Sequence, residues 1–313
     1  MSDNTKKNEI VFVFGYPGAG KTKYIADNYP KHQILTTSDR NCHQSYDKLL
    51  QSGRTRRIVI ECNLPTRLQR SEFITKSKQY GLPIHCKWLQ TSYVDSMYNV
   101  CWRFMDEFKK IINTEEIVGE YAANSNALPI GLLNYYQRYL EVPIYQEGWA
   151  TIEEIPFQRK TQYGKNKGVI FTYDRVLRES TGAFEFPTKP EEVRVLPGRA
   201  DRIIAYTKKG YTLLGVNNVP AIHKKLLTRQ HAVACFERTN EMLGCDISWA
   251  MCPHRADQNS CYCCKPNVGL GVSFISRFSL NPAETIVVGD SEIDGNFAKN
   301  CGFQYKDHQE FFA

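Results

Sequence analysis

The chain has 313 residues, enough for two domains, with one large α/β domain as the alternative. Its composition, 42% hydrophobic and 23% charged, excludes a disordered, collagen-like or coiled-coil chain, and no apolar run reaches the roughly 20 residues of a bilayer span. The net charge of +7 is uneven: residues 1–167 carry 23 basic and 17 acidic side chains, whereas residues 168–313 carry 17 and 16, so the surplus that suits a polyanionic partner lies in the first half.

The polar Met1–Glu9 segment reads as no secretory leader. Eleven cysteines, an odd number and mostly scattered, argue against a disulfide framework and for a reducing intracellular compartment, cytoplasm or nucleus. Glu9–Phe14 is an apolar run of the kind a doubly covered parallel strand needs. Behind it, Gly15-Tyr16-Pro17-Gly18-Ala19-Gly20-Lys21-Thr22 fits G-x-x-x-x-G-K-[ST] and leads into a helix expected over Lys23–Asn28. Gly15, Gly18 and Gly20 let main-chain N–H groups close round a polyphosphate, Lys21 reaches its β- and γ-phosphates, and the Thr22 hydroxyl ligates Mg²⁺. An ATP or GTP site is therefore expected.

The short apolar segment Gln33–Leu35 is followed by Asp39, whose carboxylate suits either a general base or a turn cap. Arg57–Glu61 reads as a strand whose end, Glu61-Cys62-Asn63, falls where parallel α/β sheets bind ligands. Helices are expected over Leu68–Tyr80, with Arg70, and over Tyr93–Ile112, with Arg103; strands are expected over Ile84–Leu89 and Ile152–Phe157. Each arginine suits a phosphate contact or a plain surface position. Tyr135, Tyr136, Tyr139 and Trp149 could stack on nucleobases, but no period isolates them and they are expected in the core.

Residues 158–167 are polar, basic and aperiodic, the marks of a linker. Strands follow over Gly168–Asp174, Tyr211–Val216 and Thr285–Gly289, so both halves read as parallel α/β sheets, in domains 1–157 and 168–313. Asp290 and Asp294 end an apolar strand, where their oxygens suit Mg²⁺, and Lys265 precedes them. Cys252, His254, Cys261 and Cys263 offer three thiolates and an imidazole, a closed set for structural Zn²⁺, with free buried cysteines as the alternative. Cys264 falls outside the set.

Residues 9–157 resemble the kinase domain of the polynucleotide kinase/phosphatase family. The resemblance rests on the Gly15–Thr22 loop, Ser38-Asp39-Arg40, Glu61 to Arg70, Tyr98 to Arg103 and Glu147-Gly148-Trp149 to Phe157. It implies a P-loop fold with ATP on the loop, Asp39 as general base for a 5′-hydroxyl, Arg103 on the transferring phosphate, and Arg70 near the active site. Arg40, Glu61 and Asn63 are then candidates for substrate contact. Glu61 departs from the family's aspartate, and the family's arginine before the catalytic acid is Ser38 here, with Arg40 following it instead.

Residues 168–311 resemble the same family's capless haloacid-dehalogenase-like phosphatase domain, through Phe171 to Phe184, Leu213 to Asn218, Lys265 and Val287 to Asp294. The Cys252-to-Cys263 loop is similar to that of the histidinol- and heptose-bisphosphate phosphatases. That chemistry needs D-x-D; here the nucleophile position is Thr172, only Asp174 remains, and Val216 replaces the phosphate-binding hydroxyl. The resemblance thus implies ATP- and Mg²⁺-dependent phosphorylation of DNA or RNA 5′-hydroxyl ends, a structural zinc, a nucleic-acid ligase as candidate partner, no membrane, and an absent or vestigial 3′-phosphatase. The rivals are a nucleoside or sugar kinase and a non-catalytic end-binding scaffold.

Overall fold

The computed structural model describes residues 9–52, 57–159, 164–257 and 259–313. The reading of the N-terminus over residues 1–8 and the middle of the expected linker, 160–163, lie outside them.

The first sheet is built from β1 (Glu9–Phe14), β2 (Gln33–Thr36), β3 (Arg57–Glu61), β4 (Ile84–Gln90) and β5 (Thr151–Pro156). Its order is β2-β3-β1-β4-β5, and every pairing is parallel. Parallel neighbours need crossovers, which are supplied here by α1 (Lys21–Asn28), α2 (Cys42–Gln51), α3 (Arg67–Gln79), α4 (Tyr93–Phe108), α5 (Thr114–Val118) and α6 (Ile130–Tyr139). The continuous apolar run of β1 follows from cover on both faces. Ile10, Phe12 and Phe14 pack with Phe73 and Trp149, while Val11 and Val13 pack with Ile25. A capping box starts α3: Thr66 accepts from Gln69 N, and Gln69 reaches back to Thr66 N.

The second sheet has the order β10-β9-β6-β11-β12, again all parallel. Its strands are β6 (Asn166–Phe171), β9 (Tyr211–Asn218), β10 (Ser248–Cys252), β11 (Leu280–Gly289) and β12 (Gln304–Asp307). An antiparallel pair, β7 (Arg178–Ser180) with β8 (Val193–Val195), stands apart. The helices are α7 (Arg199–Lys208), α8 (Pro220–His223), α9 (Arg229–Leu243), α10 (Gly269–Phe278), α11 (Glu292–Cys301) and α12 (His308–Phe312). Val169, Phe171, Val288, Phe236 and Phe311 belong to one core cluster.

The compact units differ from the expected boundary. One holds the described residues of 1–99 and 131–160, the other those of 100–130 and 161–313. The cause is visible in the second unit, where Phe104 meets Tyr262 edge-on at 5.3 Å and the Tyr262 hydroxyl donates to Leu128 O at 2.9 Å. Helix α4 stops at Phe108 rather than Ile112 because Lys109 takes a left-handed φ of 57°. Strand β6 starts at Asn166, inside the expected linker, and stops at Phe171, which leaves Thr172 to Asp174 in a loop. Tyr136 and Trp149 are core residues as expected, but Tyr135 and Tyr139 are exposed, with their rings 4.9 Å apart. Among the described residues no helix is long and apolar enough to cross a membrane, and none of the eleven cysteines forms a disulfide.

Candidate functional site

In the first unit the turn after β1 passes directly into α1, which begins at Lys21, two residues before the expected start. Gly20 takes the N-cap position at φ 89°, a left-handed value that favours glycine, and this lets the loop close over its own main chain. The buried Lys21 Nζ donates to Gly15 O and to Tyr16 O, both at 3.0 Å, so the ammonium spans the loop's opening residues. Asn99 Nδ2 braces the loop through Gly18 O at 3.0 Å.

The end of β3 lies against this loop. Thr22 Oγ1 donates to Glu61 Oε1 at 2.6 Å, bringing together two residues 39 positions apart. Thr37 joins them, donating from Oγ1 to Glu61 O at 3.4 Å and accepting from Asn63 N at 2.7 Å. A hydroxyl and a carboxylate this close at the N-terminus of a helix form a hard oxygen pair that fits Mg²⁺. Burial pushes the Cys62 thiol up to about 12, so it stays protonated and is no nucleophile.

Asp39 is exposed, and its Oδ1 accepts from Asn41 N at 2.9 Å, a turn that introduces α2. Arg40 is exposed beside it. Arg70 is turned into the protein. It is fully buried, its Nε and Nη2 grip Glu147 at 3.0 Å each, Nη1 donates to Pro65 O at 2.8 Å, and Nη2 also donates to Glu141 O at 3.1 Å. Arg103 belongs to the second unit, where Nη1 donates to Asn126 Oδ1 at 3.2 Å and burial lowers its pKa.

In the second unit a cleft of about 330 Å³ opens at the C-terminal ends of β6, β9 and β11. Thr172 stands at its centre: Oγ1 donates to Asp294 Oδ1 at 3.0 Å and accepts from Lys265 Nζ at 2.9 Å. The same Nζ lies 2.6 Å from Asp294 Oδ1 and 3.2 Å from Val216 O. Burial would raise the Asp294 pKa, yet the Lys265 charge, with hydrogen bonds from Lys265, Ser291 and Thr172, holds it below the ordinary carboxylate range. Gly289 allows this approach, since a Cβ there would stand 2.4 Å from Asp294 Cβ. Asp174 also lines the cleft and is paired with the buried Arg178 at 2.8 Å.

These residues do not fit the expected Mg²⁺. Asp290 is engaged by Arg175 at 2.6 Å, Asp294 by Lys265, and Thr172 adds only a neutral hydroxyl. Arg175, Arg178, Asn217 and Ser291 were missed from sequence; the only signal was the four-residue spacing of Asp174 and Arg178.

The expected zinc set does assemble. The ligand atoms of Cys252, His254, Cys261 and Cys263 all lie within 4.8 Å of one another. Cys252–Cys261 and Cys261–Cys263 are each 3.5 Å apart and His254 Nδ1–Cys263 is 3.1 Å. Tetrahedral Zn–S bonds of about 2.3 Å imply ligand spacings of about 3.8 Å, so the set fits a small tetrahedral ion.

No family model matches the chain. It is similar to the bifunctional polynucleotide phosphatase/kinase of Schizosaccharomyces pombe, 22% identical over 165 residues, which is 51% of this chain and 36% of that protein. It is also similar to the D-glycero-beta-D-manno-heptose-1,7-bisphosphate 7-phosphatase of Neisseria meningitidis, 29% identical over 130 residues, 40% of this chain and 67% of that one. A chain in the solved Pnkp1/Rnl/Hen1 RNA repair complex is covered over 98% of both lengths, at 12% identity and a TM-score of 0.31. The match thus spans about a third of the first relative's length and two thirds of the second's.

Proposed function

We propose that the first unit transfers the γ-phosphate of ATP to the 5′-hydroxyl end of a DNA or RNA strand, as a P-loop kinase. The observation that carries this is the Thr22–Glu61 contact at 2.6 Å beside a glycine loop spanned by Lys21. Similarity to the S. pombe phosphatase/kinase and the basic surplus of the first half support a nucleic-acid substrate.

The N–H groups of the Gly15–Thr22 turn would hold the phosphates, with Lys21 exchanging its carbonyl partners for phosphate oxygens. Mg²⁺ held by Thr22 and Glu61 would neutralise charge on those oxygens. Asp39 takes the proton of the attacking hydroxyl, and Arg40 and Asn63 face the strand. Arg70 holds the fold. The kinase domain is then the first compact unit rather than an unbroken 1–157, and the second is a phosphatase-like domain without hydrolysis, its Cys252–Cys263 loop carrying zinc.

The test is transfer of labelled γ-phosphate to 5′-hydroxyl DNA and RNA oligonucleotides by wild type, Lys21→Ala and Asp39→Ala. Transfer is expected from wild type alone. Phosphorylation of mononucleosides but no oligonucleotide would replace this reading with a small-molecule kinase.

A further inference from the structure

Every carboxylate of the second-unit cleft already has a cation beside it, the exposed Glu185 only loosely, through Arg175 Nη1 at 3.6 Å. Asp294 has Lys265 at 2.6 Å, Asp290 has Arg175 at 2.6 Å, and Asp174 has Arg178 at 2.8 Å. A divalent ion at Asp290 must therefore displace a guanidinium, with no further carboxylate to offset that loss at Thr172. Arg175 also adopts a φ of 66°, a left-handed conformation rare for a residue with a side chain, and it is fixed there by its N–H to Arg178 O at 2.7 Å.

A second, independent observation concerns a donor. Asn217 is 2% exposed and lines the cleft; its Oδ1 accepts from Tyr173 N at 2.9 Å, which fixes the amide's orientation. Its Nδ2 has no partner among the described residues. Buried donors are rarely left unsatisfied, so at the cleft wall this one is open to an acceptor from a ligand or from a water that a ligand would displace. Arg175 adds further donors, because only Nε is committed to Asp290 while Nη1 lies 3.6 Å from Glu185, beyond hydrogen-bond distance.

We propose that Arg175 stands where a phosphatase would keep its divalent cation, and that the cleft holds a phosphate monoester or free phosphate through Arg175 and Asn217, without metal and without hydrolysis. The metal and hydrolysis clauses both rest on reading the second unit as phosphatase-like with Thr172 at the nucleophile position; phosphate binding through Arg175 and Asn217 does not.

The test uses the full chain carrying Lys21→Ala, which silences the loop of the first unit. Binding of inorganic phosphate, and of oligonucleotides ending in 3′-phosphate or 3′-hydroxyl, is measured by calorimetry in buffer freed of Mg²⁺ and Mn²⁺, with the loop zinc left in place. Phosphate binding is expected without added Mg²⁺ and should weaken about tenfold or more in Arg175→Gly, a substitution the left-handed backbone accommodates. Tighter binding of the 3′-phosphate strand than of the 3′-hydroxyl strand assigns the ligand to a strand end; binding of inorganic phosphate alone assigns it to the free anion. A requirement for Mg²⁺, or equal binding by Arg175→Gly, overturns the proposal. In parallel, Mn²⁺ binding is followed by electron paramagnetic resonance. A site in the Arg175-containing chain that Asp290→Asn removes overturns the metal clause, whereas a site that appears only in Arg175→Gly supports it. Release of phosphate from the 3′-phosphate strand, lost in Thr172→Ala, would overturn the reading of Thr172 alone.

Discussion

Replacing Arg70 by alanine separates a structural arginine from a substrate-binding one. The guanidinium makes two bonds to Glu147 at 3.0 Å and further bonds to the carbonyls of Pro65 and Glu141, and it lies 4.6 Å from the Phe14 ring centroid. Truncation leaves a Glu147 carboxylate of 6% exposure with only Arg67, at 4.0 Å, and strips both carbonyls of a donor. Breaking one side of such a buried pair costs about 3–5 kcal/mol. With a urea dependence of about 1–3 kcal/mol per molar, the unfolding midpoint should fall by more than about 1 M. The assay is urea unfolding read by hydrogen exchange at the β1 and β3 amides, so that the second unit does not mask the change. Arg70→Met with Glu147→Leu should recover most of the loss, because neither charge is then left alone. An unchanged midpoint together with lost phosphate transfer would refute this account and return Arg70 to the substrate.

In the second unit, Lys265→Met should also cost about 3–5 kcal/mol, as it isolates the 2%-exposed Asp294. The sign of its pH dependence follows from the lowered Asp294 pKa. The native aspartate adds stability above the unfolded value of about 3.9, and this is lost as pH falls through the folded value. The stability gap between wild type and Lys265→Met should therefore narrow as pH falls through these values; a gap that stays constant down to acid pH would count against the ion pair. Gly289→Ala forces a Cβ to 2.4 Å from Asp294 and should cost about 1–3 kcal/mol by urea titration, a prediction that fails if the midpoint is unchanged. Metal analysis of purified protein should find zinc, and Cys261→Ser should lose it and speed hydrogen exchange across 261–265. Unaltered exchange would mean that the loop does not depend on an ion.

Strands β1, β3 and β4 were legible because burial on both faces demands unbroken apolar runs, and the glycine loop because its chemistry is local. The polar edge strand Gln304–Asp307 carried no such signal. Side-chain roles were legible only where both partners are near in sequence. An arginine on a helix looks available for phosphate until its partner is known, and for Arg70 that partner is 77 positions away. The division of the chain was hidden for a related reason: the helical periodicity of α4 runs on through Asn99 and Val100, while the core that Phe104 joins is built from residues near Tyr262.

The second cleft makes physical sense as a whole once Thr172 is taken together with its neighbours. A carboxylate at that position would stand about 3 Å from Asp294, leaving Lys265 as the single cation between two negative charges. Threonine removes the repulsion and still bridges, donating to Asp294 while accepting from Lys265. With that carboxylate gone, Arg175 is enough to balance Asp290. The lysine nevertheless needs exact placement, and its main chain is pinned in both directions by Asn218, which accepts from Lys265 N at 2.8 Å and donates to Lys265 O at 3.1 Å. Cys263 lies two residues away, and Asn267 Nδ2 ties the loop at Cys261 O. The cysteine–histidine cluster and Lys265 therefore share one short loop whose shape each helps to fix. That loop's geometry places Lys265 where it balances the charge of Asp294.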